Sequence, residues 1–300
     1  MKIEIRKTKL DGVIQITTLD ERWYAKEIED PNDSFFPAPR KITIFNPSIT
    51  WIDKYSPMGV GLLKHYAKHG WDEAELLKNE AAERGSKVHQ ACDLLLNGGK
   101  VSFDTGFSDP DKEKVEPLTP QEYWTVMTFV DWFTDLCANH TVEVVDVEKT
   151  VWVDAAPGEP YGYAGTRDIK LRVDGEPWAV DLKTSKAIYL GHELQLSALK
   201  HADPENPKTF ILQIGYALNH RGWKLTETED KFPLFQAAMK FWRDANPDSK
   251  PKQKDYPPEL KLALPVPKTE QVQTKPAKTL KPKSKKPAKG TTRSKPKKTS

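Results

Sequence analysis

Two aspartates and a lysine in the segment GYAGTRDIKLRVDGEPWAVDLKTSK, residues 162–186, have the types and spacing that suit metal-assisted phosphoryl chemistry. Asp174-Gly175 lies between two alternating apolar runs, and glycine permits the positive φ of a tight turn, so the segment reads as a β-hairpin. A two-residue loop at Asp174-Gly175 sets Asp168 directly across from Asp181. A four-residue loop, Asp174 to Pro177, sets it across from Lys183 instead. Either register puts Ile169 and Leu171 on one face with Trp178, Val180 and Leu182, and gathers Asp168, Asp181 and Lys183 on the other. Facing carboxylates repel, a penalty that a divalent cation removes. Magnesium prefers oxygen ligands in octahedral geometry, and Asp168, Asp181 and the main-chain carbonyl of Leu182 make half such a shell. A cation held there acidifies bound water and neutralises charge growing on phosphoryl oxygens, while Lys183 orients the water or stabilises the transition state. The bland alternative is the charged solvent face of an ordinary hairpin, because short Asp-x-Lys patterns recur by chance.

The surrounding pattern predicts the elements that must hold this hairpin. Residues 1–45 read as short strands, with VIQITT and RWYAKEI paired around Leu19-Asp20-Glu21. Asn46-Pro47-Ser48 starts a helix. GVGLLKHYAKHG and DEAELLKNEAAERGSKVHQACDLLLNGG are helical, the second stopped by Gly98-Gly99. In that second helix Val88, Cys92 and Leu95 face the core, and Gly85, His89 and Asp93 form the adjacent stripe. Residues 100–119 read as a polar loop, and TPQEYWTVMTFVDWFTDLCANH as an amphipathic helix opened at Thr119-Pro120. Strands TVEVVDVEKTVWV, GTRDIKLRV and PWAVDLKTS follow, then a helix at HELQLSALKHA, a strand at TFILQIGYALNH, a polar turn and a last helix at FPLFQAAMKFWRD. This order predicts an α/β or α+β domain over residues 1–246, a mixed sheet flanked by helices on both sides.

Charge is unevenly placed. The total is +3, but the last 50 residues carry +12, which leaves −9 for the first 250. Residues 271–300 hold 11 Lys+Arg with no acid and no aromatic residue, so 247–300 is expected to be a disordered tail. Its lysines, among them Lys281, Lys283, Lys285 and Lys286, form a flexible polycation that would release counterions from a duplex, or else serve as a solubilising or localisation segment. The two cysteines, Cys92 and Cys137, exclude a disulfide scaffold, a four-cysteine zinc site and an iron–sulfur cluster, and read as buried thiols. No signal-peptide core and no run approaching about 18 apolar residues occurs, which predicts a soluble cytoplasmic protein with no membrane partner. Trp124, Trp132 and Trp178 sit at core spacing. His65, His69, His140, His192, His201 and His220 have no ligand-like spacing and are assigned to the surface. Glu148 alternates with Val145 and Val147 and points either outward or into the site. Arg84 either holds a phosphate or pairs with Glu80.

Four blocks in order along the chain resemble the PD-(D/E)XK nuclease superfamily, in the RecB-type exonuclease branch found in recombination proteins and many phage genomes. ERGSKVH looks like that branch's Gly-x-x-x-His helix, with Gly85 and His89, and VVDVEKTV resembles its acidic strand, with Glu148. GYAGTRD matches the Gly-x-x-Asp strand and AVDLKTS the Asp-x-Lys-Thr strand, and the blocks run from about residue 45 to 200. The resemblance implies a restriction-endonuclease-like core in which Asp168 and Asp181 bind metal, Lys183 is catalytic, and His89 and Glu148 are further ligands. Gln195 corresponds to the glutamine of a Gln-x-x-x-Tyr motif that contacts DNA, although Leu199 stands where the tyrosine would be, and Arg167 replaces the nominal proline. Arg84 and Thr184 complete the DNA-contact candidates. Mg²⁺, with Mn²⁺ as a substitute, is the implied cofactor. DNA is the implied partner, with a single-strand annealing or replication protein and self-association as further partners to test. The implied activity is exonucleolytic hydrolysis of DNA in replication, recombination, repair or phage DNA processing. A structure-specific endonuclease and a non-catalytic DNA-binding accessory on the same scaffold are the alternatives.

Overall fold

Alternating apolar and polar residues build a four-stranded antiparallel sheet from the N-terminal segment: β1 (Glu4–Lys7), β2 (Val13–Thr17), β3 (Arg22–Glu29) and β4 (Lys41–Pro47), in that order. β2 and β3 form the expected hairpin, with Ile16 opposite Trp23. Ser48 then caps α1 (Ile49–Asp53), its hydroxyl accepting the Trp51 N–H at 3.1 Å. The computed structural model describes residues 3–29, 41–57, 59–108, 115–159, 162–215, 218–248 and 250–253, with Glu259 and Leu262. The tail lysines Lys281, Lys283, Lys285 and Lys286 lie outside the described residues.

Helices α2 (Val60–His69) and α3 (Trp71–Leu96) follow. The segment read as a plain loop contains a small hairpin, β5 (Gly106–Ser108) with β6 (Val115–Pro117). Thr119 and Glu122 form a reciprocal capping box at the start of α4 (Pro120–Asn139), where proline loses no hydrogen bond. The chain then lays down β7 (Val142–Val153), β8 (Tyr163–Val173) and β9 (Glu176–Lys183), crosses over through α5 (Leu190–His201), and returns as β10 (Lys208–Ile214), β11 (Trp223–Glu227) and α6 (Phe232–Ala245).

The five strands form a sheet in the order β11-β10-β9-β8-β7. β9 and β10 run parallel and the other neighbours antiparallel, so the sheet is mixed and the fold is of the α+β class. Its two faces follow from period-two alternation. Ile169, Leu171, Val180, Leu182, Leu212 and Ile214 pack beneath α3 and α4 around Val88, Cys92, Phe129 and Trp132. Leu194, Ala198 and Leu199 of α5 join α1, α6, Trp23 and Trp51 in a second core. Each large apolar side chain so buried contributes roughly 1.5–3 kcal/mol, so both cores favour the alternation that also fixes where the polar residues of β9 point.

Several expectations are corrected. β11 was read as part of a polar turn; as an edge strand it packs only Trp223 and Leu225 against the core, and the charges between them hide the pattern. Cys137 and Trp124 lie on the exposed side of α4, Trp124 being 56% exposed, whereas Trp132 is buried. The chain divides into Met1–Tyr256, a compact unit, and Pro257–Ser300. Past Asn246, the backbone N–H groups of Lys252 and Gln253 donate to the Glu21 carboxylate. Among the described residues, no helix is long and apolar enough to cross a membrane.

Candidate metal centre

Asp174 (φ 49°) and Gly175 (φ 86°) both take the left-handed conformation of a two-residue hairpin turn. The resulting register runs from Val173 opposite Glu176 to Ile169 opposite Val180, as the shorter loop requires. Beyond Ile169 the ladder stops. Asp168 Oδ2 instead accepts the Leu182 N–H at 2.9 Å, so the two strands part at the carboxylate. The alternation of β8 also breaks there. Tyr163 donates its hydroxyl to Ala198 of α5 and Arg167 reaches Asp203 beyond α5, while Ile169 already belongs to the core beneath α3 and α4.

β7 is irregular at the same level. Its register shifts between Val144 and Asp146, and Glu148 has φ 52°. A left-handed conformation costs an L-residue about 1–2 kcal/mol, and bulges of this kind re-aim side chains. The pairs Val147–Ile169 and Lys149–Arg167 set Glu148 across from Asp168. Its carboxylate turns inward, which settles the alternative the sequence left open. Helix α3 supplies His89, whose Nδ1 lies 3.6 Å from Asp168 Oδ2 and whose ring is hydrogen-bonded to the Leu182 carbonyl. One ligand atom from each of His89, Glu148 and Asp168 lies within 4.8 Å of the others.

Asp181 is close by but outside that trio. It is 1% exposed, and Lys183 Nζ lies 2.6 Å from its Oδ2 as an ion pair. Neither Asp181 oxygen has a well-directed hydrogen-bond donor among the described residues. Burial, with Asp168 adding to it, pushes the Asp181 carboxyl up to about 7 despite the Lys183 cation. Burial and the charges of Asp168 and Asp93 push Glu148 up to about 8. Burial works against the Lys183 ammonium, but Asp181 and Asp168 outweigh it and hold its pKa above the ordinary value. Burial lowers His89 in spite of Asp168, favouring the neutral imidazole that a metal needs. Carboxyls raised by burial first and by neighbouring carboxylates second, and an imidazole kept neutral, fit a divalent cation. The donors are hard oxygen and imidazole nitrogen.

His89, Glu148, Asp168 and Lys183 line a cleft of about 1270 Å³, whereas Asp181 and Leu182 are not among its lining residues. Arg6, Lys9 and Arg22 of the N-terminal segment line it together with Arg84, Thr184 and Lys186. Lys9 also bonds the Val147 carbonyl at 2.9 Å and Asp93 at 3.1 Å, tying the N-terminal sheet to the β7 irregularity. Arg84 and Thr184, two of the DNA-contact candidates, line this cleft. Gln195, half-buried on α5, is not among the lining residues. His192 was assigned to the surface and instead lines the cleft near Lys183. The available signal was its place in the helix that follows the Asp-x-Lys strand, since that helix must begin beside the strand's end.

No family profile and no curated protein matches this chain. Among solved structures it is similar to one titled "Crystal structure of SSO0001", with 14% sequence identity and a TM-score of 0.29. The match covers 41% of this chain and 57% of that structure, so this chain spans little more than half of its length.

Proposed function

We propose that the protein is a divalent-metal-dependent nuclease that hydrolyses DNA phosphodiester bonds, a PD-(D/E)XK enzyme of the RecB-type exonuclease branch its motifs resemble. On this reading it works inside the cell in DNA replication, recombination, repair or phage DNA processing. The observation that carries the proposal is the meeting of His89, Glu148 and Asp168 within 4.8 Å in a cleft that Lys183, Arg22, Arg84 and Lys186 also line. Mg²⁺ is the proposed cation, held by Asp168, Glu148 and His89, with Asp181 and the Leu182 carbonyl beside them. Such an ion, when bound, supplies activation of water and neutralisation of phosphoryl charge.

The chain's own groups account for the rest. Lys183 keeps its proton because Asp181 and Asp168 favour the cation, so it directs fixed positive charge toward developing oxyanions. Asp181 holds that ammonium in place at 2.6 Å, which restricts a side chain otherwise free to rotate. Arg22 and Arg84 line the cleft with guanidinium groups suited to the phosphates of a bound strand, whereas the Arg6 guanidinium pairs with Glu4. The test is a time course on end-labelled linear and circular DNA with Mg²⁺, Mn²⁺ or EDTA. The proposal expects metal-dependent shortening of linear DNA and an intact circle. Cleavage of the circle would make it an endonuclease, and the absence of any cleavage with either metal would overturn it.

A further inference from the structure

The structure assigns His192 as a phosphate-binding residue of the cleft, a donor that presents its Nε2–H to a phosphoryl oxygen of the nucleic-acid strand. The inference takes its substrate from the nuclease reading, but its argument is separate. His192 lies in the first turn of α5, where its own N–H donates to the Tyr189 carbonyl at 3.0 Å. The Tyr189 N–H in turn approaches His192 Nδ1 at 3.4 Å. An Nδ1 that accepts a hydrogen bond leaves the ring proton on Nε2, so the tautomer is set by the backbone. The Tyr189 ring meets the imidazole edge-on, with centroids 5.4 Å apart at 80°, and restrains the ring plane.

This residue lines the same cleft as Asp168, Glu148 and Lys183, and among the described residues no hydrogen bond engages its Nε2. Burial and the neighbouring Lys183 cation lower its pKa to about 4, so at neutral pH it stays uncharged beside Lys183. A neutral donor with a fixed direction suits an anionic oxygen that also faces the lysine. It adds a hydrogen bond without adding repulsion between two cations. Lys186, in the β9–α5 connection, lines the same cleft and supplies a further basic group.

Two variants separate donation from packing. His192→Phe keeps a ring against Tyr189 and removes the donor. His192→Gln loses the ring but places an amide N–H near the original Nε2. Binding of a labelled oligonucleotide is followed by anisotropy with Ca²⁺, to limit cleavage, and cleavage rates are measured with Mg²⁺. The proposal expects His192→Phe to weaken binding at least fivefold and lower kcat/KM by about 10–100-fold. His192→Gln should stay within about threefold of the parent on both. Unchanged binding in His192→Phe, or equal damage in the two variants, would overturn the proposal. If the parent cleaves nothing yet His192→Phe alone weakens binding, the nuclease reading fails and the phosphate contact stands.

Discussion

Removing divalent metal should make the protein progressively less stable as pH rises from 6.5 to 8.5. Without metal, Glu148 and Asp181 hold protons up to about 8 and about 7, whereas in the unfolded chain they ionise near 4.5 and 3.8. Across this window the folded state binds more protons than the unfolded state, so stability falls as pH increases. Between pH 6.5 and 8.5 the shifts correspond to about 2 kcal/mol for Glu148 and about 1 kcal/mol for Asp181. Solvent contact at Glu148 trims the total to roughly 2 kcal/mol. His192 and His89 have lowered values, so the unfolded chain binds more of their protons near pH 6.5. They oppose the fall by at most about 0.4 kcal/mol each, confined to the lower edge of the window, and above about pH 7.5 the carboxylates alone set the slope. For a domain of this size, roughly 2 kcal/mol is about 4–8 °C in Tm. Thermal unfolding by circular dichroism in EDTA should show that fall, and excess Mg²⁺ should reverse it at pH 8.5. Glu148→Gln should remove more than half of the pH slope. A Tm that is flat or rising from pH 6.5 to 8.5 in EDTA, or a slope unchanged in Glu148→Gln, would refute the electrostatic account of the site.

Lys183→Ala should lower cleavage by at least about 10³-fold while the folded CD spectrum persists; single-turnover rates on end-labelled DNA check this. Glu148→Gly should relieve the left-handed backbone at φ 52° and raise stability by about 1 kcal/mol in metal-free buffer, while weakening Mg²⁺ binding in a thermal titration. Truncation after Tyr256 should leave Tm unchanged but weaken DNA binding and flatten its salt dependence, measured by anisotropy from 50 to 200 mM salt. Truncation after Asn246 should additionally cost about 1–3 kcal/mol, because Glu21 loses the N–H groups of Lys252 and Gln253; urea denaturation separates the two truncations.

Local chemistry made much of this arrangement readable. Asp174-Gly175 announces its turn, and the alternation from Trp178 to Leu182 tells which side chains of β9 join the core beneath α3 and α4, although Ala179 and Asp181 on the other face are buried as well. Once the loop has two residues, Asp168 falls at the level of Asp181 and Lys183. The inward turn of Glu148 could not be read in the same way. It depends on a register shift and a positive φ in β7, neither of which has a residue signature there, since glutamate is not a residue that favours the left-handed region. Without that irregularity, strict alternation left its side chain undecided. The regrouping of ligands has a related cause. Sequence pairing brought Asp168 and Asp181 together across the hairpin, but β8 parts from β9 at Asp168. Asp168 is thereby grouped with His89 and Glu148, while Asp181 is engaged by Lys183. The N-terminal sheet was legible as strands, but nothing in its sequence indicated that Arg6, Lys9 and Arg22 would line the same cleft as Lys183. Contacts between segments so distant in sequence arise from tertiary packing, which periodicity does not encode.

Crystals of the protein grown with Mn²⁺ and measured at the manganese absorption edge offer the most direct test. The account predicts one strong anomalous peak at roughly 2.0–2.4 Å from ligand atoms of Asp168 and Glu148, with His89 as a further ligand. A peak elsewhere, or none at a Mn²⁺ concentration that restores thermal stability, would contradict it.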